Sequence, residues 1–388
     1  MTPLFIEDAL ASRGLMADTS PATAGPQIDI APDLVSPARR TAGRVLVWGF
    51  TLLLLALGLL ELLHTSGHIS VGFDNWRPIL YAYGVWCVAI GTGQVLIRGE
   101  AGERALFVLP AALFTLAVAI FPTLFAVYIA TLDWNLSSVL GPHFIGLDNF
   151  AQMFQDASYW NAMANMVFYL LAVLVEYAIA FGLALLLNAE IRARKFFRVS
   201  FLLPFMLSPV AVSWMLGKSL MEYRFGPAAR LARELGWQTP AFFAHPWTAR
   251  LSIEALDAWM WIPFMVILLL AGLQAMSKEV LEAAKVDGAN PWQTFWKVIF
   301  PLMMPVSVTT LLIRIIFKLK LADIVINVTS GGPGGATDTV SSFIYRVYRD
   351  RSNVGYGTAL AIFYLITIII LLMVLLKASR RWTRNING

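Results

Sequence analysis

The sequence contains eight runs of predominantly apolar residues, each close to the roughly 20 residues that an α-helix needs to cross a bilayer. They lie at about 45–63, 79–97, 105–132, 161–188, 196–221, 258–276, 298–320 and 358–376. In lipid, such runs satisfy their backbone hydrogen bonds as helices. Only 14% of the residues are charged, against about 25% in soluble domains. We therefore predict an all-α membrane protein with eight transmembrane helices.

The Lys and Arg residues between these runs indicate how the chain lies in the membrane. Cytoplasmic loops carry an excess of Lys and Arg, and the side that holds both termini has about twice as many as the other side. We therefore predict a multi-pass protein of the bacterial inner membrane with both termini in the cytoplasm. Residues 1–44 are rich in proline and small residues, which predicts a disordered cytoplasmic tail and not a signal peptide. This topology explains the net charge of +5 without a nucleic-acid partner.

The sequence contains few residues in arrangements that are typical of catalytic or metal-binding sites. Its one cysteine, Cys87, excludes an intrachain disulfide and a cysteine metal cluster. The four histidines are scattered, and the i, i+4 pair of His64 and His68 falls in an apparent loop. A GKS tripeptide ends at Ser219, but Val212 stands where the first glycine of a P-loop belongs. We predict no catalytic residue, no metal site, no cofactor and no ATP site in this chain.

The loop between the sixth and seventh apolar runs has the signals of two short helices. Ser277 can cap the first helix, and Gly288 can supply the left-handed residue that ends it. Asn290 can cap the second helix, with Pro291 at its first position and Gln293 three residues after the cap. We predict that these helices lie along the membrane surface, where the first can fit a cleft on another protein.

The stretch EAAKVDGANPWQTFWKVIFP resembles the EAA motif of the permeases of bacterial ABC importers. The residues that match, or lie within, this motif are Glu282, Ala283, Ala284, Asp287, Gly288 and Pro301. The resemblance implies that the loop at 277–297 couples the membrane helices to a cytoplasmic ATPase. On this basis, ATP is bound and hydrolysed by the ATPase, and the chain itself is not an enzyme.

Three further stretches resemble the carbohydrate-uptake branch of these permeases. They are FIGLDNFAQMF from Phe144, RVSFLLPFMLSP from Arg198 and TSGGPGGATDT from Thr329, together with Asn165 near the start of the fourth run. The resemblance covers about residues 103–380. It implies a six-helix core of the type I importers.

The same resemblance divides the chain into parts. The permease core is expected at 98–388, with the family's transmembrane domain at about 161–376. The two runs at 45–97 are similar to the extra N-terminal hairpin of maltose-system permeases. This chain departs from those permeases because only 133–160 lies between the third and fourth runs, where they have a large domain.

The sixth run opens with DAWMWIPFM, which places Asp257, Trp259, Trp261 and Phe264 close together. By resemblance to the maltose-system permeases, this stretch helps to line the sugar path. Aromatic faces also suit the apolar faces of sugars. The alternative is an aromatic belt at the membrane interface.

The seventh run carries cations inside the membrane. Arg314, Phe317 and Lys318 share one helical face, which Leu321 continues. By resemblance, these positions match sugar-contacting positions of the maltose-system permeases. An arginine within a span costs roughly 2.5–3.5 kcal/mol on insertion scales, so it normally faces a cavity or a partner. One hypothesis is that Arg314 and Lys318 favour an acidic or highly hydroxylated substrate.

The alternative hypothesis for these cations is structural. Arg314 would pair with Glu176 of the fourth run, while Lys318 and Lys320 would extend to the membrane interface. Glu176 also raises the possibility of a proton-coupled secondary transporter. That class predicts inverted repeats, which the sequence does not display.

Together these features predict the permease subunit of an ATP-driven importer of a sugar, polyol or acidic sugar. The resemblance implies a second homologous permease, two copies of a cytoplasmic ABC ATPase and an extracytoplasmic solute-binding protein as partners. Membrane lipid would surround the spans. A glycerol phosphate-type or other anionic solute is the alternative substrate.

Overall fold

A computed structural model of the 388-residue chain describes residues 36–65, 69–73, 75–189 and 194–387. In these ranges the chain is almost entirely helical. The helices are α1 Pro37–Thr65, α2 Arg77–Arg98, α3 Glu100–Ile129, α4 Asp148–Gln155, α5 Ala157–Asn188, α6 Arg194–Met206, α7 Pro209–Leu220, α8 Pro227–Glu234, α9 Pro246–Ala275, α10 Lys278–Val286, α11 Pro291–Lys318, α12 Asp323–Val328, α13 Val340–Arg349 and α14 Val354–Asn387. Two short antiparallel strands, β1 Leu132–Asp133 and β2 His143–Phe144, follow α3.

Among the described residues, seven helices are long and apolar enough to cross a membrane, namely α1, α2, α3, α5, α9, α11 and α14. The bent pair of α6 and α7 makes an eighth if it crosses as one span. The all-α membrane fold is therefore confirmed.

The apolar run at 196–221 is not one straight helix, because the chain bends by 97° between α6 and α7. Ser208 caps the second helix by accepting the N–H of Ala211 at 3.2 Å, and Pro209 occupies its first position. A cap followed by proline starts a new helix, since proline has no N–H to continue the preceding one.

The predicted disordered tail at 1–44 needs a correction at its end. Helix α1 begins at Pro37, and the hydroxyl of Ser36 accepts the N–H of Arg39 at 3.4 Å. Proline at the first position starts this helix well before the apolar run. Residues 1–35 lie outside the described residues.

The chain divides into two compact units, Met1–Pro122 and Thr123–Gly388. The first unit extends past the expected hairpin at 45–97, because α3 packs against α2. Glycines allow its helices to approach closely: a Cβ added at Gly43 would lie 2.8 Å from Ile97 and 2.9 Å from the carbonyl oxygen of Gly93. Close helix approach at small residues is typical of packing within membranes.

The second unit is organised around α5. On one side of α5, Phe181 packs with Met265 and Leu269 of α9 and with Met303 of α11. Near its other end, α5 packs against α13 and α14 through a cluster that includes Tyr159, Met166, Phe343 and Leu360. Helix α5 therefore contacts both α9 and α11, the two helices that carry most of the predicted substrate-path residues.

The glycine-rich loop from Thr329 is hydrogen-bonded to side chains near the N-terminal ends of α5 and α9. The side-chain amide of Asn165 donates to the carbonyl oxygens of Gly335 and Asp338 at 2.9 and 3.0 Å. Arg250 donates to Asn165 at 3.1 Å and to the carbonyl of Ala336 at 2.8 Å. These bonds explain why a polar Asn165 is tolerated in a buried position of a membrane helix.

Candidate functional site

The predicted surface loop has the helix boundaries that its sequence indicates. The hydroxyl of Ser277 caps α10 by accepting the N–H of Glu279 at 3.2 Å. At the other end, the N–H of Asp287 donates to the carbonyl of Ala283 at 2.9 Å, and Gly288 has a positive φ of 75°. Glycine suits this left-handed residue because it has no Cβ to clash.

The second helix of the loop starts as predicted but continues further. Asn290 and Gln293 form a reciprocal capping box, with N–H to oxygen distances of 2.9 and 3.0 Å, and Pro291 follows the cap. A π-helical turn at Phe295–Ile299 then leads into the span, so one helix runs from the loop to Lys318. The second helix of the loop is therefore the first part of α11 itself.

The loop presents most of its predicted coupling residues to the outside. Glu282, Ala283, Asp287 and Gly288 are exposed, whereas Ala284 is buried against the rest of the chain. Pro301 lies just beyond the π-helical turn and is half-buried. Exposed apolar side chains at Val280, Val286, Trp292 and Trp296 surround this face.

Five charged side chains from three helices meet inside the second unit. This charge cluster consists of Glu176 on α5, Glu254 and Asp257 on α9, and Arg314 and Lys318 on α11. Arg314 donates to both carboxylate oxygens of Glu176, from Nε at 2.6 Å and from Nη2 at 2.9 Å, and it also contacts Asp257. Lys318 Nζ lies 2.9 Å from Glu176 and 2.6 Å from both Glu254 and Asp257.

The cluster agrees with one part of the structural hypothesis for the cations and contradicts another. The predicted pairing of Arg314 with Glu176 is confirmed. The expectation that Lys318 extends to the interface is wrong, because its side chain is 0% exposed. Lys318 lies one turn after Arg314 on the same face, which brings it to the same carboxylates. A fully buried cation is stable only when it is paired and hydrogen-bonded.

Glu254 is a member of the cluster that the sequence analysis missed. The sixth apolar run starts at about 258, whereas α9 starts at Pro246 and contains Glu254. Glu254 precedes Asp257 by three residues, so helical spacing alone would have placed both carboxylates on one face. The missing signal was the start of the helix.

Aromatic side chains adjoin the charge cluster. The guanidinium of Arg314 lies 5.2 Å from the ring centre of Trp261, a cation–π distance. Phe317 lies 4.5 Å from the same ring, centre to centre. Phe205 and Phe264 complete the group, at 5.5 and 5.9 Å from Trp261. Phe205 was not predicted, although it lies within the quoted stretch RVSFLLPFMLSP.

The structure brings together six of the eight predicted substrate-path residues. Asp257, Arg314 and Lys318 belong to the charge cluster, and Trp261, Phe264 and Phe317 to the aromatic group. Trp259 is 39% exposed and, two residues from Trp261, lies on a different side of α9. Leu321 is buried in an apolar cluster with Tyr169 and Ile324. Phe317 is 43% exposed, so the aromatic group reaches the surface of this chain.

The fold has seven helices in its described residues that are long and apolar enough to cross a membrane, and similarity to known proteins defines its class. The model of the family described as "Binding-protein-dependent transport system inner membrane component" matches residues 177–385. The chain belongs to this family of ABC transporter permeases. It is a membrane transport subunit and not an enzyme.

Known proteins of the family are similar over most of their length. The sulfoquinovosyl glycerol transport system permease protein of Agrobacterium fabrum is 32% identical over 68% of this chain and 86% of that protein. The trehalose/maltose transport system permease protein of Thermococcus litoralis is 29% identical over 72% of this chain and 95% of that protein. A crystal structure of a bacterial alginate ABC transporter, in complex with an alginate pentasaccharide-bound periplasmic protein, has a similar fold. It has a TM-score of 0.63 and 21% identity, over 80% of this chain and 99% of that chain.

Proposed function

We propose that this chain is the permease subunit of an ATP-driven importer that carries a carbohydrate across the inner membrane. It works with a second, homologous permease, two copies of a cytoplasmic ATPase and a solute-binding protein outside the membrane. Both termini and the loop at 277–297 face the cytoplasm. The observation that carries the proposal is the exposed, doubly capped loop, whose residues match the EAA motif.

The loop would act as the contact for the ATPase. Helix α10 is short and exposed, and Ala283 on its outer face allows a close approach to a partner. The exposed Val286 and Trp292 can add apolar contacts at the rim. Because α11 runs through 28 residues from the loop to Lys318, it is about 42 Å long. A displacement of the loop would therefore reach the charge cluster through one helix.

Carbohydrate is favoured by the relatives and by the aromatic group. Several relatives are named for the transport of sugars or sugar derivatives. The exposed Phe317 and the adjacent Trp261 present aromatic faces of the kind that stack on sugars. The proton-coupled alternative is weakened, because Glu176 is engaged by both Arg314 and Lys318.

The test is ATP-dependent uptake by the reconstituted complex with and without the ATPase subunit. We expect uptake to require the ATPase and to be blocked by vanadate. Glu282→Lys should lower uptake at least tenfold, because it reverses a charge at the centre of the proposed contact, while the protein still inserts. Glu234→Lys, a reversal at another exposed glutamate, is the control and should leave uptake unchanged. Uptake without any ATPase would refute the proposal.

A further inference from the structure

Four arginines lie at one end of the helix pair α1 and α2 in the first unit. Arg39, Arg40 and Arg44 occupy the first two turns of α1, and Arg98 is the last residue of α2. All four residues are exposed, and among the described residues none of them forms an ion pair. An arginine stays charged at any ordinary pH, and its planar group matches a phosphate. This end of the pair therefore carries positive charge that the described residues do not neutralise.

The contact between the two helices brings these arginines together. A Cβ added at Gly43 would lie 2.8 Å from the side chain of Ile97 and 2.9 Å from the carbonyl oxygen of Gly93, so α1 and α2 touch at this level. Arg44 directly follows Gly43 in sequence, and Arg98 directly follows Ile97. The four charges therefore lie within about one helical turn of a single contact point.

The start of α1 is an electrostatically unfavourable place for arginines. The N-terminal end of a helix carries a partial positive charge, which stabilises carboxylates and repels cations. The first turn of α1 contains no acidic residue, whereas α3, which begins at the same end of the unit, has Glu100 and Glu103 in its first turn. Basic residues are expected on the cytoplasmic side, but nothing in that rule places them at the positive end of a helix. A negative charge from outside the helix would stabilise α1.

We propose that this arginine patch, formed by Arg39, Arg40, Arg44 and Arg98, binds the headgroup of an anionic phospholipid. The patch lies at the ends of two helices that are long and apolar enough to cross the membrane, which places it near the lipid phosphates. Basic clusters at this level attract anionic lipids and form headgroup sites between helices. The proposal goes beyond the proposed transport function and depends on it only for the side of the membrane.

Trp48 favours a lipid over a soluble anion as the ligand. It follows Arg44 by four residues, as Arg44 follows Arg40, so the three side chains share one face of α1. Trp48 is 65% exposed within this chain. Tryptophan is enriched at the membrane interface, where its ring lies at the level of the headgroups. From its end inward, this face of α1 thus presents two arginines for the phosphate and then an indole ring for the adjoining part of the lipid.

The test uses Trp48 as a reporter in the full chain, reconstituted into phosphatidylcholine vesicles. Brominated lipids quench the fluorescence of tryptophans that they contact, and the quenching that Trp48→Phe removes is assigned to Trp48. Brominated phosphatidylglycerol is compared with brominated phosphatidylcholine of the same acyl chains. We expect phosphatidylglycerol to be preferred at Trp48 by at least about threefold. Equal quenching by the two lipids would overturn the proposal and leave the transport function standing, since no transport is measured.

A variant assigns the preference to the arginine patch. Arg44→Gln removes the arginine that lies one turn from Trp48, so the preference for phosphatidylglycerol should fall at least about twofold. Lys377→Gln removes one exposed positive charge from α14 and is the matched control, which should leave the preference unchanged. A preference that Arg44→Gln does not lower would overturn the proposal. If that variant fails to insert, the comparison of the two lipids in the unaltered protein still decides.

Two other ligands for the arginines are distinct outcomes of the same assay. Inorganic phosphate, added at constant ionic strength, should leave the lipid preference unchanged; displacement of the lipid would assign the patch to a soluble anion and overturn the proposal. Residues 1–35 contain more acidic than basic residues, so this segment is the competing ligand within the chain. A lipid preference that arises only after Asp29→Asn and Asp33→Asn would assign the arginines to that segment and equally overturn the proposal.

Discussion

Replacing Lys318 with methionine tests whether the charge cluster holds the fold together. Methionine keeps most of the apolar stem but removes the ammonium, which bonds to Glu176, Glu254 and Asp257 at 2.6 to 2.9 Å. The three carboxylates would then share one cation, Arg314. Removing one partner of a buried ion pair costs about 3–5 kcal/mol, because a charge stays buried without compensation. We expect a loss of stability of this size.

The assay is unfolding of the purified protein in detergent, followed by circular dichroism. Lys320→Met, two residues further on and exposed, is the matched control and should change stability by less than about 0.5 kcal/mol. Adding Glu254→Gln to Lys318→Met removes one of the stranded carboxylates and should recover about 0.5–3 kcal/mol. A loss for Lys318→Met no larger than that for Lys320→Met would refute the reasoning.

Two other changes test the loop and the aromatic group. Gly288→Val forces a side chain into the left-handed region and costs about 1–2 kcal/mol, so ATP-dependent uptake should fall while membrane insertion is retained; Gly288→Asn should have a milder effect. Phe317→Ala removes an aromatic contact worth about 0.5–1.5 kcal/mol, so the KM for the solute should rise about two- to tenfold, while Phe317→Tyr should preserve it. An unchanged KM for Phe317→Ala would exclude this ring from the path.

Local signals were sufficient to predict that seven of the spans exist and where the loop helices end. Ser277, Gly288 and Asn290 act through bonds to residues within four positions, so the sequence contains both partners of each interaction. The apolar runs are equally local, because the length of a span follows from the thickness of the bilayer.

The features that the sequence did not reveal depend on distant residues. Lys318 was expected to reach the interface because nothing in its neighbourhood indicates the carboxylates of α5 and α9. The nearest of its partners in sequence, Asp257, is 61 residues away. Similarly, the 97° bend between α6 and α7 is more than Pro209 alone specifies, since proline restarts a helix without fixing the direction of the next one.

The loop at 277–297 and the charge cluster lie at opposite ends of α11, and side-chain bonds fix both ends. The capping box at Asn290 stabilises the start of the helix. Near its other end, ion pairs of Arg314 and Lys318 connect the helix to α5 and α9. The π-helical turn at Phe295–Ile299 is the irregular section between them. If a partner displaced the loop, α11 would either bend near this turn or move together with α5 and α9, to which it is ion-paired. Since five ionic contacts oppose their separation, we expect α5, α9 and α11 to move as one body, with the aromatic group carried along.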